Sequence, residues 1–161
     1  LFQGSALFDS MSVFENVAYT LREHTKMEEY EIRQRVEEKL RFVEMEGTES
    51  LMPSELSGGM QKRIALARAT ANNPDYIFFD EPTTGLDPIT AQTINELIKK
   101  VQVQMGTTVI VVTHDLESAA FVAQKTILLK DGEALFEGTT QEFMQSDIEF
   151  VKSFRTGGKG V

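Results

Sequence analysis

LSGGMQKRIALARA (56–69) and YIFFDEPTTGLDP (76–88) decide how this chain is read. Ser57 stands before two glycines and a long helix-forming run, so it reads as the N-cap of a helix reaching about Ala71, stopped by Asn72-Asn73-Pro74. A helix that opens on a hydroxyl and two residues without side chains presents bare backbone N–H groups, which is chemistry for an anion. Tyr76 to Asp80 is short and apolar until its last residue, which predicts a strand buried on both faces. Asp80 closes that strand at its carboxyl end, where α/β sheets place ligands, and a hard oxygen there suits Mg²⁺. Glu81 comes next, so its side chain points away from that of Asp80 and is placed to polarise an attacking water. Phosphoryl transfer asks little of a protein beyond positioning and charge stabilisation. The two stretches therefore imply chemistry on a nucleoside triphosphate. The sequence contains no G-x-x-x-x-G-K-[ST] loop, the element that usually holds the phosphates.

Working outward, Ser12 and Glu15 form a capping-box pattern that opens a helix over about 13–23. A second helix is predicted over 28–46, with Ile32, Val36, Leu40 and Val43 on one face and a charged opposite face, ending at Gly47. Residues 47–56 read as a loop. Asp87 is an N-cap with Pro88 at the first helical position, and that helix reaches Met105 with Gly106 as its C-cap. Thr107 to Thr113, rich in β-branched residues, predicts a second buried strand. A short helix over about 116–123 follows, and then strands at 125–130 and 133–136 around Asp131-Gly132, a strong hairpin signal. Short helices are expected from Thr140 onward. Gly157-Gly158-Lys159-Gly160 imitates part of a phosphate loop, but no helix follows to supply N–H groups, so it reads as a disordered tail.

With 161 residues, the chain is long enough for one domain with a real core; 41% of its residues are hydrophobic and 25% charged. No apolar run approaches the length needed to cross a bilayer, and with no cysteine there is no disulfide framework. The net charge of −9 argues against a nucleic-acid surface and against direct docking on anionic lipid.

At these residues the chain resembles the ATP-binding cassette (ABC) ATPases. Leu56-Ser57-Gly58-Gly59-Met60-Gln61 resembles the signature motif of that family. Ile77-Phe78-Phe79-Asp80-Glu81 resembles its Walker B strand with the catalytic glutamate, and Gly85-Leu86-Asp87 its D-loop. His114, after TTVIVVT, resembles the switch histidine, and Gln3 the Q-loop glutamine. The order and spacing match over nearly the whole chain. Met60 stands where glutamine is usual, and Thr84-Gly85 where Ser-Ala is common; neither change removes a phosphate or metal ligand. FQGSALFDSMSVFENVAYTLREH (2–24), together with the signature segment, is similar to the ATPase subunits of Mla-type transporters, which work with Mce-domain proteins and move lipid between bacterial membranes.

The resemblance implies an α/β fold: a partial P-loop NTPase domain, mostly parallel, with a helical subdomain over about 12–73 carrying the signature motif. A core sheet would occupy about 74–138 and C-terminal helices and tail 139–161, with the Walker A strand absent. It implies Glu81 and His114 in catalysis, Asp80 and Gln3 at Mg²⁺, and Gln3, Ser57, Gly58, Gly59, Asp87 and His114 around ATP. Ser57 to Gly59 would close over ATP held by a second copy of the subunit in a head-to-tail homodimer. Asp87 would lie at that interface, although its N-cap role needs no interface. Ala6 to Tyr19, with Phe8 and Phe14, would receive a helix of an integral membrane permease, or be local core. An Mce-domain substrate-binding protein would complete the transporter, at the cytoplasmic face of the bacterial inner membrane; no nucleic acid is implied. The same motifs also fit a soluble ABC ATPase of iron–sulphur assembly or DNA maintenance, and a transporter of another cargo. Residues 4–56 leave no room for a long coiled-coil arm, which disfavours the DNA class. The expectation is of an N-terminally truncated ATPase, itself unable to bind or hydrolyse ATP, whose strand at 107–113 has an open edge that drives a rearranged or intermolecular sheet.

Overall fold

In the computed structural model, which describes residues 1–156, Ser12 and Glu15 cap each other as expected. The Glu15 N–H donates to Ser12 Oγ (3.2 Å) and the Ser12 N–H to Glu15 Oε2 (2.7 Å), opening α1 (Val13–His24). The second helix, α2 (Glu29–Phe42), buries Ile32, Val36 and Leu40 as its periodicity requires. It stops earlier than expected. Gly47 does not end it; Glu44 does, in the left-handed region at φ 58°. The Glu44 N–H donates to the Arg41 carbonyl and the Met45 N–H to the Leu40 carbonyl, the paired bonds of a Schellman cap. Val43 and Met45, on either side of Glu44, are both buried, so apolar burial offsets the backbone strain.

After a 3₁₀ turn (Pro53–Glu55), Ser57 caps α3 (Gly58–Thr70), then come β1 (Tyr76–Asp80), α4 (Pro88–Met105) and β2 (Thr108–Val112). Helices α1, α2 and α3 pack on one another; α3 also packs on α4, and α4 on β2. Val17, Leu21, Val36, Leu40, Ile64, Leu66, Phe79, Ile98 and Val101 are buried in this first unit, Leu1–Val112. Gly106 takes the left-handed C-cap of α4 at φ 65°.

Strands β1 and β2 are parallel, with Ile77 opposite Val109 and Asp80 opposite Val112. They are not buried on both faces. Ile77 and Phe79 are covered, while Tyr76 (65% exposed) and Phe78 (62%) face outward together with Ile110 and Val112. The continuous apolar run records composition, not coverage: among the described residues only one face of this sheet is packed. The sheet is also not rearranged within the chain. It has two strands, β1-β2, and no other described strand lies beside β2.

The second unit begins at Thr113. It contains α5 (Leu116–Val122), the antiparallel hairpin β3 (Lys125–Lys130) and β4 (Glu133–Thr139), α6 (Thr140–Gln145) and α7 (Glu149–Arg155). Asp131 and Gly132 both have positive φ, as a type I′ turn demands, and β4 runs three residues beyond Phe136, to Thr139. Leu128, Phe143 and Val151 form a small core with Leu116, Phe136 and Phe150 against it. The Gly157–Gly160 tail lies outside the described residues.

Candidate functional site

Strand β1 delivers Asp80 and Glu81 at its carboxyl end. Asp80 closes the strand with an exposed side chain. Glu81 leaves it in the left-handed region, at φ 47°, although it is not glycine and precedes a proline, which favours extended backbone. Several contacts hold this conformation. The Glu81 N–H donates to the Val112 carbonyl of β2 (2.9 Å), and Thr84 Oγ1 donates to Glu81 Oε2 (2.8 Å). The Glu81 carbonyl accepts from the Thr84 N–H (3.3 Å) and from Lys62 Nζ (3.4 Å). The turn that follows passes through Gly85 at φ 79° and ends at Asp87.

Asp87 caps α4 through one carboxylate. Its Oδ1 accepts from the N–H groups of Ile89 (3.1 Å) and Thr90 (3.0 Å), and its Oδ2 from Thr90 Oγ1 (2.5 Å). The Thr90 hydroxyl first, and then the Thr90 N–H, hold the Asp87 carboxyl below the usual aspartate range. Ser57 caps α3 by accepting from the Met60 N–H (3.3 Å). Ser57 and Gly58 are exposed and Gly59 is buried.

The first turns of α3 and α4 meet. A Cβ on Gly59 would lie 2.4 Å from Thr90 Cγ2, and one on Gly58 would touch Leu86 Cδ2 at 3.9 Å. The fold thus brings Gly58 and Gly59 against Leu86 and Thr90. It also brings Gln3 to Glu81 through a residue that the sequence reading passed over. Lys62, 5% exposed on α3, donates from Nζ to the Gln3 carbonyl (3.1 Å) as well as to that of Glu81. Burial lowers the Lys62 pKa, and the Glu81 charge partly restores it. Farther along α3, Arg68 donates to the Ser5 carbonyl (3.1 Å) and lies over the Phe8 ring. Ser5 and Ala6 are consecutive non-glycine residues at positive φ, 62° and 48°. The available signal is weak: Lys62 sits one turn after a glycine, beside Gln61 and Arg63, and nothing in its own residue type sets it apart from them.

Gln3 has an exposed side chain and His114 is exposed in the second unit, two positions after β2 ends. Phe8, in the segment expected to receive a partner helix, stacks at 4.9 Å on Tyr19 of α1, and Phe14 lies under Arg22 and Arg33. Among the described residues no three His, Cys, Asp or Glu side chains converge as a metal cage. The single exposed carboxylate of Asp80 at the end of β1 still fits Mg²⁺, which keeps several waters and takes one or two carboxylates plus substrate phosphates. No described helix is long and apolar enough to cross a membrane.

The family described as ABC transporter (ABC_tran) matches residues 1–84. The intermembrane phospholipid transport system ATP-binding protein MlaF of Haemophilus influenzae is 46% identical over 98% of this chain. The MlaF of Escherichia coli K12 is 43% identical, and the Mycobacterium leprae protein named "Probable ribonucleotide transport ATP-binding protein mkl" is 41% identical, over 98% of this chain in each case. The chain spans 61% of the Haemophilus protein and 58% of the Escherichia coli one. Among solved structures, a dimeric post-hydrolysis state of the ATP-binding cassette MJ0796 bound to ADP and Pi is 40% identical, with a TM-score of 0.75 over 86% of this chain and 62% of that one. The cbiO1 protein of Clostridium perfringens, part of the ABC transporter complex cbiONQ, is 30% identical with a TM-score of 0.82, over 94% and 61% of the two chains.

Proposed function

The chain belongs to the ABC transporter ATP-binding family, and from that premise we propose that the protein carrying it hydrolyses ATP to drive a membrane transporter of phospholipid. The observation that supports this most directly is the carboxylate pair at the end of β1, with Glu81 fixed in a left-handed conformation by bonds from three segments. Strain maintained by several contacts is typical of sites where geometry matters to chemistry.

Glu81 is the residue that orients and polarises the attacking water, with its carboxylate aimed by Thr84. Asp80 and Gln3 are the protein groups that would hold Mg²⁺, whose chemistry is to neutralise charge on the transferring phosphates. His114 donates to the terminal phosphate. Ser57, Gly58 and Gly59, at the N-terminus of α3, close over the nucleotide of a second copy, and Asp87 lies beside that interface. The dimeric MJ0796 cassette supports a homodimer. The phospholipid cargo rests on the MlaF relatives, and with it the integral membrane permease, the Mce-domain partner and a location at the cytoplasmic face of the inner membrane.

Glu81→Gln tests the reading. In the protein carrying this chain, turnover of ATP falls by about two to four orders of magnitude while ATP binding is spared. Retained turnover removes Glu81 from catalysis. Residues 1–161 contain no phosphate-loop motif, so this stretch alone binds no ATP tightly and hydrolyses none. Titration with labelled ATP checks that, and sub-millimolar binding contradicts it. Copurification with an integral membrane permease separates a transporter from an ABC ATPase that works without one.

A further inference from the structure

We infer that Lys62 is a positioning residue that ties the backbones of Gln3 and Glu81 to helix α3 and thereby sets the direction of the Glu81 carboxylate. The inference rests on the roles proposed above for Gln3 and Glu81. Lys62 lies one turn into α3, with its ammonium group buried and solvated by two carbonyls from distant parts of the sequence, those of Gln3 (3.1 Å) and Glu81 (3.4 Å). Burying an ammonium group is costly unless hydrogen bonds replace its water. Apolar packing of α3 would be served by a methionine at this position without that cost. A buried cation bonded to main-chain oxygens instead fixes where those oxygens are.

At Glu81 this matters because of the conformation there. At φ 47° a non-glycine residue pays a steric penalty, and the following Pro82 disfavours helical ψ. The left-handed conformation sends the Glu81 carbonyl back toward α3, where Lys62 receives it. Losing that bond removes one of the contacts that hold the Glu81 peptide left-handed, beside those with Thr84 and Val112, and loosens the aim of the carboxylate. The Gln3 carbonyl is anchored by the same ammonium, so the segment carrying Gln3 and the residue carrying the carboxylate share one fixed point. That point lies on the helix whose first turn presents Ser57, Gly58 and Gly59.

The test uses Lys62→Met, which keeps the length and removes the charge, and Lys62→Arg, which keeps a cation. Amide hydrogen exchange is read on residues 1–161, so the first arm does not depend on ATP turnover. In Lys62→Met, exchange at residues 2–6 and 79–86 rises about tenfold or more while that of α1 and α2 stays put, and Lys62→Arg largely reverses it. Unchanged exchange at those segments, or a uniform rise throughout the first unit, overturns the inference. The second arm is kinetic, in the ATP-hydrolysing protein. Lys62→Met lowers kcat about tenfold and leaves KM for ATP within about twofold, because misaimed catalysis is lost and binding is not. An unchanged kcat overturns the inference too. If Lys62→Met does not fold, Lys62→Gln replaces it under the same criteria. Failure of Glu81→Gln to stop turnover sinks the assignment of Glu81 while leaving the exchange result to judge Lys62.

Discussion

Gly59 and Thr90 are in contact so close that no side chain fits between them: a Cβ at residue 59 would sit 2.4 Å from Thr90 Cγ2. Thr90 cannot simply rotate away, because its hydroxyl is engaged by Asp87 Oδ2 and its side chain is β-branched. Gly59→Ala should therefore destabilise the chain by about 1–3 kcal/mol, the usual range for overpacking. Thr90→Ser removes the offending methyl and keeps the hydroxyl, so the double variant should recover most of that loss. Urea unfolding of the four proteins gives the coupling energy, and a double variant no more stable than Gly59→Ala rejects the contact as the cause. If the double variant folds normally yet the full enzyme stays inactive, the glycine serves the neighbour's nucleotide as well as packing.

Asp87 links the stability of α4 to pH. Its folded pKa is lowered by Thr90 and the helix N-terminus, so its contribution is present above the unfolded value, near 3.8, and is lost as pH falls through the folded value. Glu15 and Glu142, both lowered by bonds from their N-cap residues, Ser12 and Thr139, behave in the same sense. The wild-type chain should thus be more stable than Asp87→Asn at pH 6, with the difference shrinking as the pH is taken from about 4 toward 2. A gap that persists in acid shows that the charge at residue 87 is not the source.

Asn16 organises the segment after Gln3. Its side chain, fully buried, donates from Nδ2 to the carbonyls of Phe8, Met11 and Ser12, and its Oδ1 accepts from the Phe8 N–H at 2.8 Å. Asn16→Ala removes the side-chain partner of the Phe8 N–H and of the Met11 carbonyl, while the Phe8 and Ser12 carbonyls keep backbone donors, and should cost about 1–3 kcal/mol. The faster exchange should appear first at the Phe8 N–H. Protection of that amide equal to wild type would show that the loop is held by other contacts.

Phe78 and Phe79 are neighbours with opposite fates. Phe79 is 1% exposed and Phe78 62%. In the 161-residue chain Phe79→Ala should cost about 3–5 kcal/mol and Phe78→Ala less than about 0.5 kcal/mol. Equal losses in thermal unfolding would mean that both faces of β1 are packed.

The order of elements was legible because local chemistry writes it directly. Ser12 and Glu15, Ser57, Asp87 with Pro88, Gly106 and Asp131-Gly132 each satisfy backbone groups within a few residues, and each lies where the sequence reading put it. The end of α2 was missed, because Glu44 adopts a conformation that its own side chain disfavours and that burial of Val43 and Met45 makes worthwhile. The coverage of β1 and β2 was misjudged for a related reason. An apolar residue is equally apolar with or without something packed on it.

The sequence by itself determined the family and the identities of the residues proposed to act, since signature, Walker B and D-loop patterns are strings of residue types at fixed spacings. Only the tertiary structure decided that Gly59 must lack a side chain because Thr90 is there, that Glu81 is held left-handed, and that Lys62 joins Gln3 to Glu81. Contacts between residues far apart in the chain depend on how helices and strands pack, and a lysine that bonds to two main-chain carbonyls leaves no pattern in the residues that supply them.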